Sequence, residues 1–274
     1  MPRESGASRL ARSHDSLFFP SGVFPLTAKA CAGAGDGDMD QGNARHIGRA
    51  FFGRRKGKRL RPRQMVLLET LLPKLAINLG EAAPARLQEL FAGVDVDDVR
   101  LEIGFGGGEH LVAEAERNPR AGFIGSEPFV NGMAKALALI AERNLANIRL
   151  HHGDAAGLLA WLPPASLMRV DMLYPDPWPK RRHWKRRFIQ AATVAELARI
   201  LAPGGEFRFV TDIADYAAWT LRHFARTPQF VWTAECADHW RRPWPGFSGT
   251  RYATKAERAG RAPCYLIFRR TSVP

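Results

Sequence analysis

The chain has 274 residues, with 40 Lys or Arg against 27 Asp or Glu, so its formal net charge is +13. A hydrophobic fraction of 46% and a charged fraction of 24% exclude collagen-like and wholly disordered proteins. No apolar run reaches the roughly 18 residues of a membrane span, so we expect no membrane partner and a cytoplasmic location. Cys31, Cys236 and Cys264 form no CxxC pair, and we expect neither a disulfide framework nor a bound metal.

The excess positive charge lies in two short runs. Residues 54–63 read RRKGKRLRPR and residues 180–187 read KRRHWKRR, with seven and six basic residues. Outside them, basic and acidic residues are equal in number at 27 each. Such patches are typical of proteins that bind phosphate backbones, since each neutralised phosphate releases condensed counterions. A solvated surface or a sorting signal is the alternative.

In chain order, residues 1–45 come first, and their polar, aperiodic composition predicts a disordered leader. Residues 46–274 are expected to form one domain, with the run at 54–63 as a basic N-terminal extension that acts as a flexible clamp. A helical pattern covers residues 64–92 with a break at Pro73, and it includes a short helix from Pro84 to Phe91.

From residue 98 onward, short apolar runs alternate with helical patterns. Strands are predicted at 99–103, 122–127, 147–154, 166–174, 205–212, 230–232 and 264–270. Helices are predicted at 108–117, 129–143, 155–161, 184–202 and 213–226. Pro203-Gly204-Gly205 indicates a turn before a strand. This alternation favours an α/β fold with a parallel sheet and helices on both faces, while the last two strands, with no helix predicted between them, could pair antiparallel.

A glycine-rich turn, residues 104–108, connects the first strand of the alternation to a helix. Glycines such as Gly104 and Gly106 let the backbone turn sharply and approach a ligand. Glu127 and Asp154 end the next two strands, where carboxylates can accept from ribose hydroxyls or an adenine amine. The GxGxG spacing and the nearby Glu102 favour a cationic cofactor, S-adenosylmethionine, over NAD. Alternatively, these acids only cap the following helices.

A second loop, PDPWPK, follows the fourth predicted strand. Three prolines stiffen it and hold Asp176 and Trp178 at the carboxyl edge of the sheet, where open α/β folds bind ligands. The indole can stack on a planar base, and the carboxylate can accept from its N–H groups. The basic run beginning at Lys180 can hold the surrounding phosphates.

These motifs together resemble the bacterial tRNA (guanine-N7)-methyltransferases, a family of class I S-adenosylmethionine-dependent methyltransferases. LEIGFGGGEHL, GSEPF, GDA, LYPDPWPKRRHWKRRF, PGGEFRFVTD and TKAER occur in the family's order between about residues 46 and 270. The resemblance implies a Rossmann-like, mostly parallel seven-stranded sheet with an antiparallel last strand. It also implies methyl transfer from S-adenosylmethionine to N7 of a guanine in tRNA, in the variable loop. Either a monomer or a homodimer is compatible with the sequence.

The resemblance assigns residues to the site. It implies a catalytic role for Asp176 and cofactor binding by Glu102, Gly104, Gly106, Glu127, Asp154, Ala155 and Asp176. It implies tRNA contact by Lys180, Arg182, His183, Trp184, Lys185, Arg186, Arg187, Asp212, Thr254, Lys255, Ala256 and Glu257. Ala256 and Ala259 depart from the family, which has an aromatic residue at the first position and often Lys at the second.

Two other functions remain compatible with the residues. An amino-methyltransferase would carry an acid or Asn before Pro-Pro-aromatic, whereas this chain has Pro-Asp-Pro-Trp. A non-catalytic tRNA-binding protein would show a decayed cofactor rim, whereas the glycines and acids are present. A dehydrogenase would need GxGxxG spacing and a histidine at the hydride site. Guanine N7 has an in-plane lone pair, so methylation there needs alignment rather than a strong base.

Overall fold

A seven-stranded sheet forms the centre of the computed structural model, which describes residues 53–273. The predicted leader, residues 1–45, lies outside the described residues. The strands are β1 (Asp98–Ile103), β2 (Ala121–Ser126), β3 (Ile148–His151), β4 (Leu167–Leu173), β5 (Leu201–Thr211), β6 (Phe230–Trp232) and β7 (Cys264–Arg270). Their order is β3-β2-β1-β4-β5-β7-β6. The first five strands pair in parallel, and β7 is antiparallel to both neighbours, which confirms the predicted fold class.

Helices pack around this sheet. They are α1 (Pro62–Thr70), α2 (Leu72–Leu75), α3 (Glu109–Arg117), α4 (Val130–Arg143), α5 (Ala155–Trp161), α6 (Ala191–Ile200), α7 (Ala214–Phe224), α8 (Asp238–Arg241) and α9 (Arg251–Arg258). Two 3-10 helices span Leu87–Phe91 and Arg181–Arg186. Within residues 53–273, no helix is long and apolar enough to cross a membrane.

The core has two main buried clusters because successive strand residues point to opposite faces of the sheet. On β2, Phe123 belongs to the cluster formed with α3 and α4, whereas its neighbour Ile124 belongs to the cluster formed with α5, α6 and α7. Phe207 of β5 stacks on Phe224 of α7 with ring centroids 5.1 Å apart. Both faces are thus covered, as the alternation of strands and helices predicts.

Three local predictions differ from the structure in part. The helix predicted over 184–202 begins only at Ala191, because Gln190 N–H donates to Thr193 Oγ1 (2.9 Å) at the N-terminus of α6. The helical region at 64–92 is limited to α1, α2 and the 3-10 helix at Leu87–Phe91. Pro203-Gly204-Gly205 lies inside β5 rather than before it, and the pairing with β4 accommodates it by a register shift between Leu167 and Arg169.

The connection between β6 and β7 also differs from the prediction. The two strands pair antiparallel as expected, but α8 and α9 lie between them. Thr250 caps α9, accepting a hydrogen bond from Ala253 N–H at 3.1 Å. Of the α9 side chains, only Ala256 is buried. The sequence therefore has little apolar periodicity from which this helix could be predicted.

Candidate active site

A cavity of about 470 Å³ opens where β1, β2 and β4 end, within the size range of small-molecule sites. Most of the residues predicted to bind a cofactor line it, namely Gly104, Gly106, Glu127, Asp154, Ala155 and Asp176. The carboxyl ends of parallel strands share one edge of the sheet, so the topology brings these separate motifs together.

Glu127 holds the glycine-rich turn in place. Its carboxylate accepts from Gly106 N–H at 2.7 Å and from Phe129 N–H at 2.9 Å. Burial raises the pKa of this carboxyl, and the two backbone hydrogen bonds oppose the shift. Gly106 has a φ of +59°, and its carbonyl oxygen would lie 2.2 Å from a Cβ on Gly132, so the turn sits directly on α4. The acid therefore shapes the turn as well as facing the cavity.

Glu102 has a different place from the one expected. It is not among the residues that line the cavity, and its buried carboxylate pairs with His110 Nδ1 at 2.9 Å. Burial raises the pKa of the Glu102 carboxyl, and His110 offsets only part of the shift. The pair ties β1 to the first turn of α3 beneath the glycine-rich turn. Direct cofactor contact by Glu102 stays a prediction.

Asp154 caps a helix as well as lining the cavity. Its Oδ1 accepts from Ala156 N–H at 3.0 Å, which satisfies a backbone donor at the start of α5. The capping interpretation considered from sequence therefore holds for this residue, and it does not exclude a ligand contact at the same side chain.

The Asp176 loop lies between two strained residues. Tyr174 and Trp178 have φ values of +50° and +44°, a region that bulky side chains rarely adopt and that costs about 1–3 kcal/mol per residue. Between them the prolines restrict the backbone, and Arg187 Nε donates to Pro177 O at 2.8 Å. Asp176 itself is exposed and lines the cavity. The strain indicates a loop shaped for function.

The second basic run divides by exposure. Lys180, Arg181, Arg182 and Lys185 are exposed, and His183, Trp184 and Arg186 are partly buried. The Arg186 guanidinium lies over the Trp178 ring, 4.9 Å from its centroid, and it lines the cavity. Arg187 corrects the prediction of tRNA contact, because it is 0% exposed and faces the protein interior.

The stretch from Thr254 to Glu257 also requires a correction. Ala256 is 0% exposed, so its side chain is not available to an RNA surface. Thr254 and Glu257 line a separate groove of about 630 Å³, and Lys255 is exposed. Asp212 lies beside this groove and pairs with Arg261 at 2.6 Å. Contacts of these polar residues with tRNA stay predictions.

Sequence reasoning missed Arg251 and Tyr252, which form the first turn of α9 and line the main cavity. Tyr252 stacks on Tyr174 with centroids 6.4 Å apart, and the Arg251 guanidinium lies 3.6 Å from Glu109. Arg54 of the first basic run lines the cavity as well. Thr250, a residue type favoured at helix N-termini, is a local signal in the sequence that could have indicated α9.

The chemistry of the lining fits S-adenosylmethionine. Three carboxylates can accept from ribose hydroxyls or face cationic groups, and three guanidinium groups can hold a carboxylate or phosphates. These are Glu127, Asp154 and Asp176, and Arg54, Arg186 and Arg251. Aromatic rings, among them Phe129 and Trp178, offer stacking surfaces. Among residues 53–273 there is no group of three or more His, Cys, Asp or Glu arranged to hold a metal ion.

Comparison with known proteins places the chain among methyltransferases. The family profile described as "Putative methyltransferase" matches residues 97–265. The tRNA (guanine-N(7)-)-methyltransferase of Nitrobacter hamburgensis is 63% identical over 81% of this chain and 87% of that protein. The protein of the same name from Bradyrhizobium diazoefficiens is 61% identical, over 81% and 94%. The 16S rRNA methyltransferase KamB shares the fold, with a TM-score of 0.52 at 16% identity over 70% of this chain and 95% of that one.

Proposed function

Because the chain belongs to the tRNA (guanine-N(7)-)-methyltransferase family, we propose that it methylates N7 of a guanine in the variable loop of tRNA. The methyl donor is S-adenosylmethionine, and the product nucleoside is N7-methylguanosine. Because the substrate is tRNA, we place the protein in the cytoplasm. Residues 46–274 act as one domain. The observation that carries the proposal is the cavity in which the glycine-rich turn and the Asp176 loop meet.

In this proposal the cavity residues align two reactants. The bound cofactor supplies an electrophilic methyl group on a positively charged sulfur. Glu127 and Asp154 hold the cofactor's polar groups, and the turn at Gly104 and Gly106 lets the backbone approach it. Alignment of this kind can contribute about 7–11 kcal/mol to lowering a bimolecular barrier.

Asp176 acts on the guanine. The N7 lone pair forms the new N–C bond while the S–C bond breaks, its electron pair stays on sulfur, and no proton moves. Consistent with this, the described residues that line the cavity include no His, Lys or Cys. The methylated base is cationic, so a carboxylate at its edge stabilises the charge that develops in the transition state. Asp176 also orients the base by accepting from its N–H groups.

The exposed basic residues hold the tRNA around this base. Lys180, Arg182 and Lys185 present positive charge beside the Asp176 loop. Trp178 and the stacked pair of Tyr174 and Tyr252 offer rings at the cavity to a base that has left its stack. A base inside folded tRNA has to be unstacked before its N7 reaches the methyl group.

The test uses an unmodified tRNA transcript and tritium-labelled methyl donor. We expect label in N7-methylguanosine and, after borohydride and aniline treatment, one cleavage in the variable loop. A transcript with 7-deazaguanosine at that position should accept no label. Label in a methylated adenosine would identify an amino-methyltransferase, and tRNA binding without any transfer would identify a non-catalytic binder.

A further inference from the structure

Arg187 ends the second basic run, yet it is the largest of the fully buried side chains in the described part of the protein. Burying a guanidinium is costly unless every face of it is engaged. A run of exposed cations needs no such member, because neutralising phosphates requires charge at the surface. The burial of Arg187 therefore indicates a role in contacts within the protein.

The guanidinium joins two elements by its polar edge. Nε donates to Pro177 O at 2.8 Å, and Nη2 donates to the Asp215 carboxylate in the first turn of α7. Pro177 is the residue after Asp176, so the bond fixes the peptide next to that carboxylate. Asp215 is about half exposed on its side chain, so water still reaches the outer end of the connection.

Three aromatic rings surround the planar group. The rings of Trp184, Tyr216 and Trp219 have their centroids 5.0, 5.0 and 5.1 Å from Arg187 Cζ. Trp219 Nε1 in turn donates to Ile189 O at 2.6 Å, which fastens the chain directly after Arg187 to α7. Flat rings and a forked donor suit arginine, whereas lysine offers a single point charge without a plane to stack.

We propose that Arg187 is a positioning residue for methyl transfer: it anchors the Asp176 loop to α7 and makes no contact with tRNA. The loop needs an anchor because Tyr174 and Trp178 are both held at positive φ, and strain of this kind persists only where surrounding contacts fix it. This inference rests on the proposed function, since the loop's placement matters through the role given to Asp176.

Three single variants separate an anchor from a phosphate contact. Arg187→Lys keeps the charge but loses the fork and the plane. Asp215→Asn removes the charge of the partner on α7. Because this side chain is half exposed, we expect the protein to fold with Asn there, and this variant carries the test if Arg187→Lys does not fold. Arg182→Gln removes an exposed charge of the same run and serves as the comparison.

We measure the single-turnover rate of methyl transfer at saturating tRNA, the KM for tRNA and its salt dependence. Both anchor variants should lower the single-turnover rate by about tenfold or more, because small misplacements of reacting groups are costly. Their KM and salt dependence should stay close to those of the unmodified protein. Arg182→Gln should instead raise the KM and flatten the salt dependence. Anchor variants that behave like Arg182→Gln, with the single-turnover rate kept, would overturn the proposal.

Hydrogen exchange gives a readout that does not depend on methyl transfer. The amides of Asp176 and Trp178 should exchange faster in Arg187→Lys and Asp215→Asn than in the unmodified protein. In Arg182→Gln their exchange rates should be unchanged. Unchanged exchange in both anchor variants would contradict the anchor whatever the activity. If the unmodified protein transfers no methyl group to tRNA, the proposed function fails, while the exchange data still decide whether Arg187 holds the loop.

Discussion

The two basic runs have similar numbers of basic residues but differ in how far those residues are buried. In residues 54–63 all seven cations belong to exposed residues, and residues 54–61 form no helix or strand before α1 begins at Pro62. In residues 180–187 the cations range from exposed, as in Arg182, to fully buried, as in Arg187. Similar numbers of basic residues in two runs therefore do not mean that similar charge is available to a ligand.

The first run is also held more firmly than a flexible clamp would be. Asn131 at the start of α4 accepts from Gly57 N–H at 2.7 Å and donates to Lys58 O at 2.6 Å. Val130 N–H donates to Arg55 O at 3.0 Å. A Cβ on Gly57 would lie 2.8 Å from the Phe129 ring, so glycine permits this close approach. The first run is anchored through its backbone, and the second through a side chain.

The largest expected effect concerns the buried cation. Arg187→Ala should lower the free energy of unfolding by about 3 kcal/mol, since it leaves a void among three rings and breaks an ion pair. Arg182→Ala, at an exposed position of the same run, should hardly change it. Denaturant unfolding of both variants measures the difference, and equal stabilities would remove the distinction between inner and outer cations.

A smaller effect should follow from removing the outer cations of the second run. Replacing Arg181, Arg182 and Lys185 together with Gln should weaken tRNA binding and reduce the slope of log K against log salt by about 2–3. Replacing Lys135, Arg222 and Arg226 removes the same charge from exposed positions outside both runs and is the matched control. The comparison fails if the two triple variants lose the same slope.

The backbone anchor of the first run should contribute less again. Asn131→Ala removes two exposed hydrogen bonds at unchanged charge, so we expect tRNA affinity to fall by about fivefold, or roughly 1 kcal/mol. Ala141→Ser, an uncharged change at a partly exposed position of the same helix, controls for changes to α4. Unchanged tRNA affinity in Asn131→Ala would mean that the first run binds tRNA equally well without these two hydrogen bonds.

The smallest effect concerns pH and His183. Partial burial and the positive charges of Arg186 and Arg182 lower the pKa of this imidazole, which disfavours its protonated form in the free protein. Phosphates brought close to it favour the protonated form, and binding therefore takes up a proton. tRNA affinity should rise a few-fold as the pH falls from 8 to about 6. The part of this rise in affinity that comes from protonation of His183 should vanish in His183→Gln. If the full rise persists in His183→Gln, another group takes up the proton.

Sequence patterns predicted the parallel strands and the site loops well, since both leave local signals. Strand β7 was placed at its observed bounds, and the glycine-rich turn and Asp176 loop were found from glycine and proline spacing. The same patterns failed where packing decides. Helix α9 buries only Ala256, so its sequence has no apolar stripe that predicts a helix. The cavity residues Arg251 and Tyr252 were missed for the same reason.

Burial of charged residues was the other failure. Nothing in KRRHWKRR distinguishes Arg187 from Arg186, because the rings that enclose Arg187 include Tyr216 and Trp219, which come from α7. Likewise the spacing of LEIGFGGGEHL does not reveal that the Glu102 carboxylate pairs with His110 in the interior. Such contacts depend on tertiary geometry, which a spacing rule does not contain.

The role of Asp176 is tested by the rate at which Asp176→Asn forms N7-methylguanosine in tRNA. The amide keeps the size of the side chain and removes its charge, so the rate should fall by about 100-fold or more while tRNA affinity is kept. A rate near that of the unmodified protein would show that the Asp176 carboxylate does not orient and stabilise the methylated base.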